Sequence, residues 1–409
     1  MDFRYNYTDE QESFRAEVRE YLAANIPEDM RSPVDARLSL TQEQYDFWHG
    51  GMHQQLAAKG WMYPTYPTEY GGGGLSGDHE TIIMEEFELA GVVRDFTNAL
   101  CLPTLMVWAT EEQKKQFLTP LLKCEKVAFQ NFSEPEAGSD LAAIQSRAER
   151  DGDDWIITGI KTWISGHGEP DWLFGPIVTD QDSPRHRNLG YFMIPAPSEG
   201  LTIQKLDLLT GHDQQSIFMD HVRVAGDHLI GGDHQGWQVA QSTLEIEHGG
   251  RGVAFPKDEP LENLLDYVKT VSTGDGALAD DPVLQQLAMQ AAIDSQINAL
   301  FQRRNFHLYQ AREEMTYQGS QSSLWRKSFN ITNAARAREI MGMHAMTGVD
   351  EPTAPYKGQP EVYQRGSLVG AHPGGTIEIQ KVIIARRMGI SRTKERAAAT
   401  PSTTGAVGV

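Results

Sequence analysis

Phe129-Gln-Asn-Phe-Ser-Glu-Pro-Glu-Ala-Gly-Ser-Asp140, followed by Lys161-Thr-Trp-Ile-Ser165, is the pair of segments on which the reading of this chain turns. Pro135 fixes φ and breaks whatever regular structure precedes it. Gly138 permits a backbone closed to residues with a Cβ, and Ser133, Ser139 and Asp140 supply short polar groups. Consecutive turn amides of this kind form a small concave donor site, suited to a carbonyl-rich ring or an anion. Asp151-Gly152-Asp153 reads as a turn, and the β-branched and aromatic run from Trp155 to Ser165 as the strand it feeds. Taken singly, these residues describe a surface loop and a core strand equally well.

Working outward, the chain changes period twice. From residue 8 to about 120 it reads as helix: Thr8-Asp-Glu-Gln-Glu is a start signal, and Phe14, Val18 and Leu22 recur at helical spacing. Tyr70-Gly-Gly-Gly-Gly-Leu75 is a loop, read as a flexible connector because no Lys-Ser or Lys-Thr follows to complete a phosphate loop. Between about 126 and 232, short apolar runs separated by Gly, Pro and Asp turns predict an antiparallel β domain. After Trp237 helical spacing returns, with a long amphipathic helix over 284–310, a loop at 272–281 and a second long helix over 325–345. The Met-rich end of that helix, Met341-Gly-Met-His-Ala-Met346, reads as packing. The expected division is a helical domain at 1–125, a β domain at 126–235, a helical domain at 236–392 and a disordered tail at 393–409.

Composition narrows the function classes. The 409 residues are 40% hydrophobic and 22% charged, with a formal charge of −20, which disfavours nucleic acid or an anionic membrane as partner. No apolar run approaches the ~20 residues needed to span a bilayer, and the start lacks a signal-peptide layout. Cys101 and Cys124 are too few for a disulfide framework or a zinc site, so a cytoplasmic location is expected. His167, His186, His212 and His221 fit no metal-ligand spacing, so no metal is expected. No Gly-x-Gly-x-x-Gly follows a strand, which sets aside a Rossmann-type nucleotide site.

Together, the two opening segments resemble the flavin-binding signature of the acyl-CoA dehydrogenase family, usually Thr-Glu-Pro-x-x-Gly-Ser-Asp and then Lys-x-Trp-Ile-Thr. Pro67-Thr-Glu-Tyr-Gly-Gly, Ala109-Thr-Glu-Glu-Gln-Lys-Lys-Gln-Phe-Leu and Asp220-His-Val-Arg-Val resemble further parts of the family, so the likeness spans about residues 8 to 392. It implies a C-terminal four-helix bundle behind the helical and β domains, with FAD as cofactor and an acyl-CoA as substrate. Phe132 and Ser133 would then meet the isoalloxazine edge, and Ser139, beside Gly138, would lie between flavin and acyl-CoA. Trp163 and Ser165 would cover the flavin's other edge and phosphate side, and Thr376 and Glu378 would touch its adenosine end.

The family's reaction removes a proton from Cα of an acyl thioester while Cβ delivers hydride to flavin N5. Such an α-proton is weakly acidic, so a carboxylate base and donors to the thioester oxygen are required. Most members place the base in a Glu-Gly-Thr near the C-terminus. Here that stretch is His372-Pro-Gly-Gly-Thr-Ile-Glu, and Gly374 stands for the Glu, leaving its backbone N–H as a donor to the thioester oxygen. Some relatives carry the base on a C-terminal-domain helix, and the matching stretch, Leu244-Glu-Ile-Glu-His-Gly-Gly-Arg251, offers Glu247. Its rival Glu245 points roughly 200° away around a helix. The resemblance further implies an electron-transfer flavoprotein as acceptor and a homotetramer or homodimer. A heteromer with a related subunit is the alternative, because Glu339 and Met343 occupy places where a neighbouring chain would hold the FAD. A flavin monooxygenase on the same fold, needing no base, and a non-catalytic subunit remain the competing readings.

Overall fold

The computed structural model describes residues 6–31, 40–94, 96–166, 168–210, 213–248, 252–273 and 276–391. The tail at 393–409, His167, His212 and Arg251 lie outside them. Thr8 starts the first helix as expected: α1 (Asp9–Asn25) opens with a capping box between Thr8 and Gln11 and buries Arg15, Val18 and Leu22 on one face. That face meets α2 (Gly77–Leu89), capped by Ser76. Between the two, Glu86 is 2% exposed and accepts from Arg15 at 3.0 Å and from Arg19 at 2.8 Å. α3 (Phe96–Trp108) carries the buried Cys101, Leu102 and Leu105 into the same core.

The four glycines at 71–74 are a packed corner rather than a flexible connector. A Cβ on Gly72 would sit 2.3 Å from the Tyr66 carbonyl, and one on Gly73 2.3 Å from the Gly60 carbonyl. Backbone approaches backbone there, which only glycine allows.

The central domain is built from β1 (Ala128–Gln130), β2 (Arg147–Asp151), β3 (Asp154–Ser165), β4 (Trp172–Val178), β5 (Leu189–Pro195), β6 (Leu201–Asp207), β7 (Asp213–Val224) and β8 (Leu229–Ile230). The order is β6-β7-β3-β2-β4-β5-β8, with β1 beside β4. Pairing is antiparallel except where β4 runs parallel to β1 and meets β2 through the single pair Arg147–Val178. Trp155, Ile157, Ile164, Phe192, Ile217 and Val222 fill one face. The reverse faces of β4 and β5, with Phe174, Tyr191 and Met193, pack into the N-terminal helical core. Covered on both sides, β5 is buried at every position from Leu189 to Ile194.

α4 (Gly236–His248) leaves the β domain and lies against α3 and β5. Thr243 is its anchor, 2.7 Å from the Thr104 hydroxyl and 3.1 Å from that of Tyr191, while Trp108 donates to Ser242 at 2.9 Å. The C-terminal helical domain follows as α5 (Glu259–Thr270), α6 (Pro282–Gln310), α7 (Gln318–Met341), α8 (Gln359–Val369) and α9 (Ile377–Arg387). α7 runs from Gln318 to Met341 rather than over 325–345, ending where Gly342 takes a φ of 55°. Of the Met-rich end, Met341 is packed, but Met343 is 81% exposed. A two-residue hairpin, Ser272–Thr273 with Gly276–Ala277, sits within the loop expected at 272–281.

Candidate active site

The loop 132–140 is fixed by a buried ion pair. Lys161, on β3 and 0% exposed, lies 2.9 Å from the carboxylate of Glu134, which is 6% exposed at its side chain. Lys161 also donates to the Phe132 and Pro176 carbonyls, each at 3.1 Å. The Glu134 carboxylate accepts from the backbone amides of Gln145 at 2.6 Å and Ser146 at 3.0 Å. Burial alone would raise the Glu134 carboxyl, but Lys161 and those neighbours hold it below the ordinary value. The same burial pushes Lys161 below its usual range, against the pull of Glu134. Glu134 and Ala137 close the turn by exchanging backbone bonds of 2.8 and 3.1 Å.

This clamp orients the loop's peptide edges. A trans peptide carries its carbonyl and the following N–H on opposite edges. With the Phe132 carbonyl held inward by Lys161, the Ser133 amide faces the other way. The Ser133 carbonyl is taken by the Thr162 amide at 2.9 Å, which ties the loop to β3 beside Trp163. Gly138 and Ser139 are exposed, and Asp140 pairs with Arg185. The expected reason for Gly138 is corrected here: its φ is not positive, and a Cβ there would meet nothing within 4 Å. The chain itself does not demand a glycine.

Trp163 is the strained residue of the site. The register between β3 and β7 slips between Lys161 and Ile164, a bulge that places an extra residue on β3. Trp163 takes a φ of 60° and is 56% exposed, between the buried Thr162 and Ile164. A large aromatic residue in that region is an outlier held by its surroundings, the kind of strain that gathers at ligand sites. Ser165, at the end of β3, accepts from Gln214 at 3.1 Å. Phe132, Ser133, Trp163 and Ser165 are thus brought to one end of β3.

Gly374, Thr376 and Glu378 form a second group, on the loop entering α9. Thr376 caps that helix, its hydroxyl accepting from the Ile379 amide at 3.2 Å. Glu378 lies in the first turn, where its own backbone amide and Thr376 hold its carboxyl below the ordinary value. Gly374 and Gly375 take φ values of 65° and 75°. On α4, Glu245 is exposed, and the side chain of Glu247 lies outside what the structure describes.

In the sequence Glu134 and Lys161 stand only as letters of the two motifs, with no pairing marked between them. The signal for Lys161 was the strand period: Trp155, Ile157 and Lys161 share parity, so a strand with the first two inside places the lysine inside as well.

Comparison with known proteins agrees with this architecture. Profiles of the acyl-CoA dehydrogenase N-terminal, middle and C-terminal domains match residues 8–125, 130–222 and 234–389. Acyl-CoA dehydrogenase IpdE1 of Mycobacterium tuberculosis is 30% identical over 92% of this chain and 97% of its own length. Acyl-CoA dehydrogenase FadE26 of the same organism is 28% identical over 93% and 97%. The crystal structure of the ChsE4–ChsE5 complex from Mycobacterium tuberculosis superposes with a TM-score of 0.82 at 25% identity, covering 95% of this chain and 100% of the other. The chain belongs to the acyl-CoA dehydrogenase family, whose members are FAD-dependent oxidoreductases. The residues present fit a flavin ring: an exposed indole on a strained bulge, an outward Ser133 amide, and a glycine at 138 where a Cβ would occupy open space.

Proposed function

We propose that this chain performs the α,β-dehydrogenation of an acyl-CoA thioester with FAD, using Glu247 as the base and passing electrons to an electron-transfer flavoprotein. The observation that carries the reading is the clamped loop 132–139, tied by its Ser133 carbonyl to β3 beside the bulged, exposed Trp163. FAD, when bound, supplies the hydride acceptor. Ser133 and the backbone at Phe132 hold the ring's polar edge, Trp163 and Ser165 cover its far side, and Ser139 with Gly138 leaves room for the thioester. Thr376 and Glu378 hold the adenosine end. Glu247 removes the α-proton, and the Gly374 amide donates to the thioester oxygen as charge grows there. The exposed position of Glu245 favours this assignment. The reaction would take place in the cytoplasm; among the described residues no helix is long and apolar enough to cross a membrane.

A second, related chain as partner is supported by the ChsE4–ChsE5 complex, which pairs two chains. The exposed Glu339 and Met343 in this chain also favour it, since a carboxylate beside a diphosphate is repulsive. Glycine at 374 keeps a second reading in play, a subunit that completes a partner's site.

Anaerobic mixing with a panel of acyl-CoAs tests the proposal. Bleaching of the flavin band by one of them supports dehydrogenation. Bleaching only by an external reductant would point to monooxygenase chemistry, and a protein that holds no flavin with or without a partner would point to the accessory subunit.

A further inference from the structure

We propose that Lys327 is a positioning residue which, with Gln380, sets the peptides at 373–375 as the donor edge for the thioester carbonyl. This rests on the reading of the chain as an acyl-CoA dehydrogenase. Lys327 lies on α7, 5% exposed, and its Nζ donates to the Pro373 carbonyl at 2.5 Å and to the Gly370 carbonyl at 3.0 Å. Gly370 closes the C-terminus of α8, so the second bond satisfies a carbonyl that the helix leaves orphaned. Gln380, on α9 and 0% exposed, donates to the Gly374 carbonyl at 2.6 Å and to the Gly375 carbonyl at 3.4 Å. Two interior side chains from two helices therefore grip four successive or near-successive carbonyls of one loop.

The consequence follows from peptide geometry. Among the described residues no peptide is cis, so a carbonyl drawn toward the clamp turns the next N–H away from it. Pro373 sets the Gly374 amide, Gly374 sets that of Gly375, and Gly375 sets that of Thr376. These amides stand at the N-terminal end of α9, where the helix dipole favours developing negative charge. Two adjacent glycines at positive φ have no side chain to hold them in place. The clamp supplies the rigidity that the missing side chain at 374 does not. A bond from Nζ to the Pro373 carbonyl also polarises that peptide and strengthens its N–H as a donor.

The test compares Lys327→Met and Lys327→Gln with the wild-type holoenzyme, using the acyl-CoA that bleaches the wild type. Lys327→Met should keep its flavin and a KM within about threefold, while kcat falls by a factor on the order of 10²–10³, the worth of one oxyanion donor. Lys327→Gln, which retains a donor, should fall between the two. Hydrogen exchange at Ile379 and Gln380, whose amides bond the Thr376 hydroxyl and carbonyl at the end of this loop, should quicken at least about tenfold in Lys327→Met, with exchange in α7 unchanged. If Lys327→Met does not fold, Gln380→Leu is read in the same way. Unchanged kcat overturns the oxyanion role, and unchanged exchange at Ile379 and Gln380 overturns the clamp. A wild type that no acyl-CoA reduces sinks the dehydrogenase reading and the oxyanion role with it. In that case the exchange measurement alone still decides whether the clamp exists.

Discussion

Lys161 holds together three things that would otherwise drift apart: the Phe132 carbonyl at the edge of the loop 132–140, the Pro176 carbonyl of β4, and the Glu134 carboxylate that closes the turn. Its replacement by methionine preserves length and volume while leaving Glu134 buried without its cation. Removing one partner of such a pair costs about 3–5 kcal/mol. Lys161→Met should therefore lower the stability seen in denaturant by that amount and release flavin that the wild type retains through gel filtration. Full flavin retention with unchanged stability would show that the pair does not organise the loop. Glu134→Gln leaves Lys161 without its anion and offers one oxygen where the Gln145 and Ser146 amides bond two, so it should lower stability in the same direction.

Among the helices and strands, α1 and α2 are joined by a charged contact with a definite pH dependence. Burial would raise the Glu86 carboxyl, but the hydrogen bonds from Arg19 and Arg15 win and hold it below the ordinary 4.5. A carboxyl depressed in the folded state contributes stability that is fully present above its unfolded value and lost as pH falls through the folded one. Glu86→Gln should thus lower Tm at neutral pH and narrow the gap to wild type as pH drops below about 4. A gap that stays constant between about pH 7 and pH 3 would contradict the linkage.

What could be read without coordinates divides along physical lines. The helix start at Thr8, the turn at Gly152 and the strand ending at Ser165 depend on local chemistry, and they appear where expected. The glycine corner at 71–74 depends on which backbone lies opposite, so its packing against Tyr66 and Gly60 left no trace in composition. Lys327 shared a seven-residue spacing with the buried Ala334 and Met341, which was a usable sign that it faces inward. The carbonyls it grips, in the loop after α8, could not be named from that spacing.

At the scale of the whole molecule, the most informative surface is on α6. Met289, Ile293 and Leu300 are 57%, 50% and 49% exposed, and they fall within about 40° of one another around the helix. Three exposed apolar side chains on one side of the longest described helix of the C-terminal domain, interrupted by Gln296, are the expected face for packing against another copy or a related chain. Ile293→Lys with Leu300→Lys should convert the assembly to monomers by light scattering at micromolar concentration. A wild type already monomeric, or a double variant of unchanged mass, would count against this face.

The proposed base, Glu247 on α4, is assigned the α-proton that the glycine at 374 cannot take. Anaerobic stopped-flow reduction by an acyl-CoA, followed at the flavin band in wild type and Glu247→Gln, tests it directly. Glu247→Gln should bind flavin and acyl-CoA normally but reduce the flavin slower by a factor on the order of 10²–10⁴, the usual worth of a positioned base, while Glu245→Gln behaves as wild type. Near-normal reduction in Glu247→Gln, by an acyl-CoA that the wild type oxidises, would contradict it.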